Sequence, residues 1–310
     1  MTSRPNQTEV TEFVLQGFSE HPSLRLFLTG CFLSLYTMAL MGNILIIALV
    51  TFSAGLHNPM YFFLCNLATM DIICTSSVLP KALVGLLLEE STISFKGRMA
   101  QLFFLVWSLC SELLLLTVMA YDCSVDICFL LHYSSRMRPQ LCGALSMEVW
   151  SICALNASVN TGLMTQLSFC GPKVITPFFC EIPPLLLSCS PTYVNSIITL
   201  MADVFYGGIN FMLTLLSYGY IIVSILRMGS AEGKRKAFST CSSHVIVVSV
   251  YYSSVFCAYV SPASSYSPER SKSTTLLYSL LNTTLKPLIY TLRKKDVKLA
   301  LGMLLPSFSH

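Results

Sequence analysis

Seven long apolar segments take up most of this chain of 310 residues. A helix needs about 20 apolar residues to cross a hydrocarbon core, and lipid offers no hydrogen-bond partner to an exposed backbone. The segments are joined by short loops without a Gly/Ser linker, a charge run or an internal repeat. The sequence therefore predicts an all-α membrane protein, a seven-transmembrane-helix bundle without a second domain.

The charged side chains indicate the orientation of the bundle. Only 11% of the residues are charged, against roughly 25% in a typical soluble protein. Bases cluster beside the membrane segments on one side, which the positive-inside rule makes cytoplasmic, and we therefore expect the N-terminus outside. This arrangement accounts for the net charge of +4 without a nucleic-acid partner. The bases on this side are Arg136, Arg138, Arg227, Lys234, Arg235, Lys236, Arg293, Lys294, Lys295 and Lys298.

The chain divides into three parts by polarity. Residues 1–23 form a polar tail without the features of a cleaved signal peptide, and the Asn6-Gln7-Thr8 sequon predicts glycosylation of Asn6 outside the cell. Residues 24–292 form the membrane domain. Residues 293–310 form a cytoplasmic tail, in which a basic amphipathic run predicts a short helix on the lipid of the inner leaflet.

Six of the seven segments contain an ionisable side chain, and the first contains the amide of Asn43. Such groups are costly in lipid, about 2.5–3.5 kcal/mol at a helix centre, so we expect most of them to face the inside of the bundle. For Glu148 we expect either a protonated side chain or one that extends to the membrane interface, and no functional role. The six ionisable residues are Asp71, Glu112, Glu148, Asp203, His244 and Lys286.

Five motifs occur in a fixed order along the chain. Residues 56–64 read LHNPMYFFL, 119–128 read MAYDCSVDIC, 217–218 read SY, 236–244 read KAFSTCSSH and 286–290 read KPLIY. They resemble LHxPMYFFL, MAYDRYVAIC, SY, KAFSTCSSH and NPxIY of the olfactory receptors, a branch of the rhodopsin-like G-protein-coupled receptors. The resemblance covers nearly the full length. In the first motif, Pro59 should begin the second helix, where a missing N–H has no cost.

The resemblance implies a receptor at the plasma membrane. It would bind a small, mostly apolar, odorant-like molecule between the outer halves of helices three, five, six and seven, and signal through a stimulatory G protein to cyclic AMP. An acid such as Asp203 would hold an amine ligand, or else serve as a hydrogen-bonded or protonated structural acid. Helical spacing gives the ligand-binding candidates Leu105, Val106, Leu109, Cys110, Asp203, Tyr206, Tyr252, Val255 and Tyr259.

The same resemblance implies a switch at the inner ends of the helices. Cys123 replaces the Arg that pairs with the preceding Asp in silent receptors of the family and lines the G-protein pocket in active ones. Ser124 and Asp126 replace Tyr and Ala. Asp122 would therefore lack its family partner, and His244 would be either a satisfied core histidine or a gating contact. The switch candidates are Asp122, Cys123, Tyr218, His244 and Tyr290.

A polar core is implied around Asn43, Asp71 and Glu112. In the family, the two acids lie where related receptors bind a sodium ion. Lys286 stands where NPxIY has Asn. We expect Lys286 to pair with Asp71, so that its ammonium replaces the sodium.

The cysteines predict disulfide chemistry rather than a metal site. Arg98 occupies the position at which the family has the Cys that ties the third helix to the second outer loop. That loop holds Cys170, Cys180 and Cys189, which cannot all pair within one chain. Family connectivity would pair Cys170 with Cys189, and the other pairings remain open. No cysteine spacing indicates zinc, and we expect no cofactor.

Other classes of protein fit the sequence less well. A transporter would show paired broken helices and an internal repeat, and a membrane enzyme would need a nucleophile with a base, or a metal set. Neither pattern is present in the sequence. The stronger alternative is a receptor-like protein that folds or couples poorly, because Arg98, Cys123 and Lys286 each replace a residue on which the family depends.

Overall fold

The computed structural model of the protein describes residues 12–16, 22–87, 90–129, 132–167, 174–175, 191–260, 282–290, 297 and 302. Long helices dominate it. The first is Pro22–Phe52, the second Pro59–Leu87, the third Phe95–Cys128, the fourth Pro139–Thr165 and the sixth Ala231–Val260. The fifth consists of Tyr193–Ala202, a π-helical segment Asp203–Ile209, and Asn210–Arg227. Residues 282–290 form the described part of the seventh helix.

Within this described part, five helices are long and apolar enough to cross a membrane. They correspond to the first five predicted segments. Short helical turns at Ala54–Leu56 and Tyr133–Arg136 lie in the two inner loops after the first and third helices. The first helix begins at Pro22, so it starts slightly before the predicted membrane domain.

The second helix begins at Pro59, as the sequence predicts. The side chain of Asn58 caps it, because its Oδ1 accepts a hydrogen bond of 3.1 Å from the backbone N–H of Tyr61. Asn is among the preferred N-cap residues, and Pro is pre-organised for the first helical position. The HNPMY part of the motif therefore sets where this helix starts.

The third helix begins at Phe95. Ser94 caps it, with its Oγ accepting from the backbone N–H of Gly97 at 3.2 Å. The capping side chain satisfies an N–H that would otherwise be left open at the helix end. Arg98 consequently lies in the first turns of the helix and is buried.

A small three-stranded sheet, which the sequence did not reveal, lies beside these helices. Strand β1 (Glu12–Gln16) is in the centre, antiparallel to β2 (Glu90–Ser94) and parallel to β3 (Val174–Ile175). The registers pair Phe13 with Ile93 and Val14 with Val174. The sheet joins the tail to the loops that follow the second and fourth helices. It is an addition to the all-α class, because only pairing between distant segments creates it.

The third helix forms the centre of the bundle and packs against the second, fourth and fifth helices. Leu115, Leu116 and Met119 on this helix are completely buried. Trp107 packs edge-on against Trp150 of the fourth helix and donates its indole N–H to the carbonyl of Trp150 at 3.0 Å. The core therefore surrounds the segment that leads from the outer half of the third helix to the MAYDC motif.

The first and seventh helices approach closely at Gly42. A Cβ atom added there would lie 2.9 Å from Cβ of Pro287. We expect Gly42→Ala to lower the stability of the detergent-solubilised protein by about 1–3 kcal/mol, because the proline ring and the helix backbones leave little room to relax.

Gly30, on the same helix, provides a matched control because an added Cβ would meet nothing within 4 Å. Thermal unfolding should show a lower midpoint for Gly42→Ala than for Gly30→Ala. Equal midpoints for the two variants would contradict the close approach.

Candidate functional site

Three charged side chains meet in the middle of the bundle. Lys286 Nζ lies 2.7 Å from Asp71 Oδ1 and 2.8 Å from Glu112 Oε2. The side chains are almost fully buried, with 4%, 1% and 2% of their surfaces exposed. The ion pair with Asp71 that the sequence predicts is therefore present, and Glu112 is a second partner of the same ammonium. We call these three residues the Lys286 cluster.

The cluster joins three helices. Asp71 comes from the second helix, Glu112 from the third and Lys286 from the seventh. Nζ of Lys286 also lies 5.6 Å from the centre of the Tyr251 ring on the sixth helix. Asp71 Oδ2 and Glu112 Oε1 are buried without a hydrogen-bond partner within the described structure. Two acids thus share one ammonium, and the cluster holds more carboxyl groups than cations.

The ammonium of Lys286 takes the position that a bridging sodium ion would need, because it lies within hydrogen-bond distance of Asp71 Oδ1 and Glu112 Oε2. A second cation about 4 Å from Nζ would be repelled by the ammonium by roughly 4 kcal/mol at an effective dielectric constant of 20, and this repulsion opposes its attraction to the two remaining carboxyl oxygens. The sequence-based expectation that Lys286 replaces the ion agrees with this geometry.

Asn43 completes the polar core from the first helix. Its Nδ2 donates to the carbonyl of Ala39 at 2.9 Å and to that of Thr283 at 3.3 Å. Its side chain is buried, and the second bond reaches the seventh helix one turn before Lys286. A buried amide in an apolar helix needs such a partner. Asn43 therefore attaches the first helix to the seventh close to the Lys286 cluster.

His244 links three helices at the predicted switch. Its ring nitrogens lie 3.3 Å from the Tyr290 hydroxyl on the seventh helix and 3.1 Å from the carbonyl of Leu116 on the third. The side chain is completely buried. Both nitrogens have partners, so the residue is a satisfied core histidine, and its partners lie on helices that a switch would move.

Asp122 has a partner that the sequence did not indicate. The hydroxyl of Tyr133, on the short helix Tyr133–Arg136, donates to Asp122 Oδ1 at 2.9 Å. Burial and, next, the charge of Asp122 raise the pKa of Tyr133, so the phenol keeps its proton at neutral pH. Asp122 lacks its family partner, as the sequence indicates, but the loop after the third helix supplies a neutral donor in its place.

Cys123 is buried next to Asp122 and packs in the main hydrophobic core. Tyr218 of the fifth helix is half-buried, and its ring centre lies 6.1 Å from that of His244. Its hydroxyl finds no hydrogen-bond partner among the described residues. The third, fifth, sixth and seventh helices thus bring Cys123, Tyr218, His244 and Tyr290 into one region.

The ligand-binding candidates on the third helix lie beside the fourth and fifth helices. Leu105 and Val106 pack against a small cluster that includes Met164 of the fourth helix. Leu109 is half-buried, and Cys110 Sγ lies 3.5 Å from Nδ2 of Asn156. Tyr206 is buried on the fifth helix. These residues lie where the third helix packs against the fourth and fifth helices.

Asp203 does not face the inside of the bundle, contrary to expectation. Its side chain is exposed, whereas Tyr206, three positions later, is buried. Residues at i and i+3 are neighbours on an α-helix, but these two lie in a π-helical segment. Hydrogen bonds from i to i+5 give a wider turn, which separates i from i+3 around the helix axis. Glu148 is exposed on the fourth helix.

Tyr252 lies where the third, fifth and sixth helices meet. Nδ2 of Asn210 donates to the carbonyl of Leu113 at 2.9 Å and lies 3.4 Å from the Tyr252 hydroxyl. The side chains of Val255 and Tyr259 lie outside the described part of the structure. Sequence reasoning missed Asn210 and Tyr251, although a polar residue within an apolar helix was an available signal for Asn210.

Arg98 is buried and hydrogen-bonded. Its Nη1 donates to Gln101 Oε1 at 2.7 Å, and Gln101 donates in turn to the carbonyl of Ser77 on the second helix at 3.1 Å. Within residues 293–310, Val297 is buried in the main core. Asn6 and the loop cysteines Cys170, Cys180 and Cys189 lie outside the described residues.

Comparison with known proteins identifies the family. The family model "Olfactory receptor" matches residues 32–306. The chain is 61% identical to human olfactory receptor 13A1 over 304 residues, which are 98% of this chain and 93% of the relative. It is 47% identical to human olfactory receptor 13G1, covering 98% and 100%. It is 42% identical to mouse olfactory receptor 5AP2, covering 98% and 96%.

These matches agree with the helical bundle and cover nearly the whole chain. They explain the five membrane-crossing helices as part of a seven-helix receptor fold. The chain therefore belongs to the olfactory receptors, multi-pass G-protein-coupled receptors that bind odorants and are not enzymes.

Proposed function

We propose that this receptor binds a small, mostly apolar odorant between the outer halves of helices three, five, six and seven, and signals through a stimulatory G protein to cyclic AMP. Tyr206 carries the ligand part of the proposal, because it is a buried aromatic side chain on the fifth helix, in a segment that contacts the third helix. It lies in the π-helical segment, and such segments are frequent at functional sites.

The polar contacts support a receptor that folds, rather than a receptor-like protein that folds poorly. Lys286 binds two acids, and Arg98 donates a hydrogen bond to Gln101. Both departures from the family pattern therefore have partners that offset the cost of burying a charge. Cys123 differs, because a thiol provides no cation for Asp122 or for a G protein. We infer that this chain folds as a receptor and couples weakly.

The ligand site is tested by alanine replacement on the fifth helix. Tyr206→Ala is expected to reduce the cyclic AMP response of receptor-expressing cells to a panel of small alcohols, aldehydes, esters and amines by about tenfold or more. The reason is that losing a buried aromatic contact costs more than about 1.4 kcal/mol. Responses should also disappear in cells that lack the stimulatory α subunit.

Tyr193 provides the matched control, because it is a tyrosine of the same helix that is 74% exposed. Tyr193→Ala should respond like the unmodified receptor. If Tyr206→Ala responds normally at equal surface expression, the proposed site is wrong. A response that persists without the stimulatory α subunit would contradict the proposed coupling.

We further propose that the receptor lies in the plasma membrane with residues 1–23 outside, 24–292 in the membrane and 293–310 on the inner leaflet. Removing sugars enzymatically should then increase the gel mobility of the protein from a glycosylating host, and Asn6→Gln should abolish that increase. The sequons at Asn156 and Asn282 fall within helices and serve as internal controls. A protein without a mobility shift would contradict the orientation or the surface maturation.

A further inference from the structure

The seventh helix is attached to the first on both sides of Lys286. Asn43 Nδ2 binds the carbonyl of Thr283, and Gly42 leaves room for the ring of Pro287, which directly follows Lys286. These contacts fix the backbone that carries the lysine. The side chain then reaches the second and third helices, where its ammonium lies 2.7 and 2.8 Å from the two carboxyl groups.

A cation held in this way differs from a diffusible one. The occupancy of a free ion depends on its concentration, and so does the stability that it adds to the folded protein. A tethered group has a fixed, high effective concentration at its site, so its occupancy does not depend on the concentration of ions in the solution. The ammonium of Lys286 is also almost completely buried, so exchange with bulk cations would require it to leave both acids.

From this geometry we propose that Lys286 is a resident cation which fills the place of a metal ion between Asp71 and Glu112, and that it makes this receptor insensitive to sodium. The second, third and seventh helices are then tied together permanently rather than by an ion that binds and dissociates. The proposal concerns the folded chain alone, so it does not depend on the ligand or on G-protein coupling.

The proposal also predicts a latent cation site. Without the ammonium, two buried carboxyl groups would face each other without a positive charge between them, and a small cation would neutralise them. A shorter neutral side chain at position 286 should therefore create sodium dependence that the unmodified receptor lacks. Asp71→Asn should remove that new dependence by taking away one of the two carboxylates.

Thermal unfolding of the purified, detergent-solubilised receptor without ligand tests both the sodium insensitivity of the unmodified receptor and the latent cation site. The unmodified receptor, Lys286→Asn and the double variant Lys286→Asn with Asp71→Asn are measured in sodium, potassium and choline chloride at equal ionic strength. We expect the midpoint of the unmodified receptor to be the same in all three salts. For Lys286→Asn we expect an increase of roughly 3–5 °C for each tenfold rise in sodium above the dissociation constant, and none with choline.

A higher midpoint of the unmodified receptor in sodium than in choline would overturn the proposal, and this measurement needs no variant. A folded Lys286→Asn receptor with equal midpoints in all salts would also overturn it, because the ammonium would then not stand in for a metal ion. If Lys286→Asn does not fold, Lys286→Met with the same salt series replaces it. Sodium dependence that survives Asp71→Asn would place the ion elsewhere and contradict the assignment.

Discussion

Restoring the helix-three arginine, by Cys123→Arg with Ser124→Tyr and Asp126→Ala, is expected to raise the ligand-evoked cyclic AMP response about tenfold or more at equal surface expression. A guanidinium supplies several donors in a rigid fork, and hydrogen bonds to charged groups contribute roughly 1.5–3 kcal/mol each. A buried thiol supplies neither a positive charge nor the length and the several N–H donors of an arginine side chain. The active complex should therefore gain its central contact.

The surroundings of Cys123 favour this result. The hydroxyl of Tyr218 lacks a hydrogen-bond partner among the described residues, and Tyr290 lies close by, bonded to His244. Tyr218 lies on the fifth helix and Tyr290 on the seventh, and the side chain of an arginine on the third helix would contact both helices. In the silent state the new arginine would also pair with Asp122, where it competes with the neutral donor Tyr133. We expect the new arginine to stabilise the active complex with the G protein more than its pairing with Asp122 stabilises the silent state.

Asp126 contributes a separate part of the expected gain. We predict that its charge pairs with the bases at 234–236 across the inner ends of the third and sixth helices, holding the bundle shut. Asp126→Ala alone should therefore raise the response by a smaller factor than the triple change. Cys123→Lys provides the matched control, because it adds a charge without the fork and should restore only part of the signal. An unmodified receptor that already signals as strongly as the triple variant would falsify the hypothesis.

Lys286→Met is expected to destabilise the protein by about 3–5 kcal/mol, because it leaves two buried carboxyl groups without their shared cation. Asp71→Asn should cost less, since Glu112 still binds the ammonium at 2.8 Å. The double variant should be more stable than the sum of the two losses predicts, with a coupling energy of roughly 0.5–3 kcal/mol. Thermal and denaturant unfolding in choline chloride would measure the cycle without interference from sodium.

The exposed acid Glu148 supplies the control for this cycle. Glu148→Gln should change the stability by less than about 0.5 kcal/mol, because the side chain lies at the surface of the fourth helix. Strictly additive losses for Asp71→Asn and Lys286→Met would exclude the interaction between these two residues. The same cycle with Glu112→Gln in place of Asp71→Asn would then show whether Glu112 holds the ammonium by itself.

Local chemistry allowed much of this receptor to be predicted from its sequence. Long apolar segments predict membrane helices because lipid excludes every unbonded backbone group, and this requirement does not depend on the neighbours of a segment. Asn58 and Pro59 predict the start of the second helix because capping involves residues within one turn. The pairing of Lys286 with Asp71 was predictable from the resemblance to the family, which implies that position 286 lies beside the acid of the second helix, and a buried charge needs an opposite one.

Other features depend on contacts between distant parts of the chain. Tyr133 reaches Asp122 only because the inner loop folds against the third helix, and β1 forms only where β2 and β3 pair with it. Glu112 joins the Lys286 cluster through the packing of three helices. The side chain of Asp203 does not face the inside of the bundle, because a π-helical segment changes the angle between successive side chains around the axis of the fifth helix. The sequence by itself determined which segments cross the membrane and which groups require partners, since both follow from the transfer of residues into lipid. Only the tertiary structure decided which partner each group obtained, because that choice depends on how the helices rotate and approach one another.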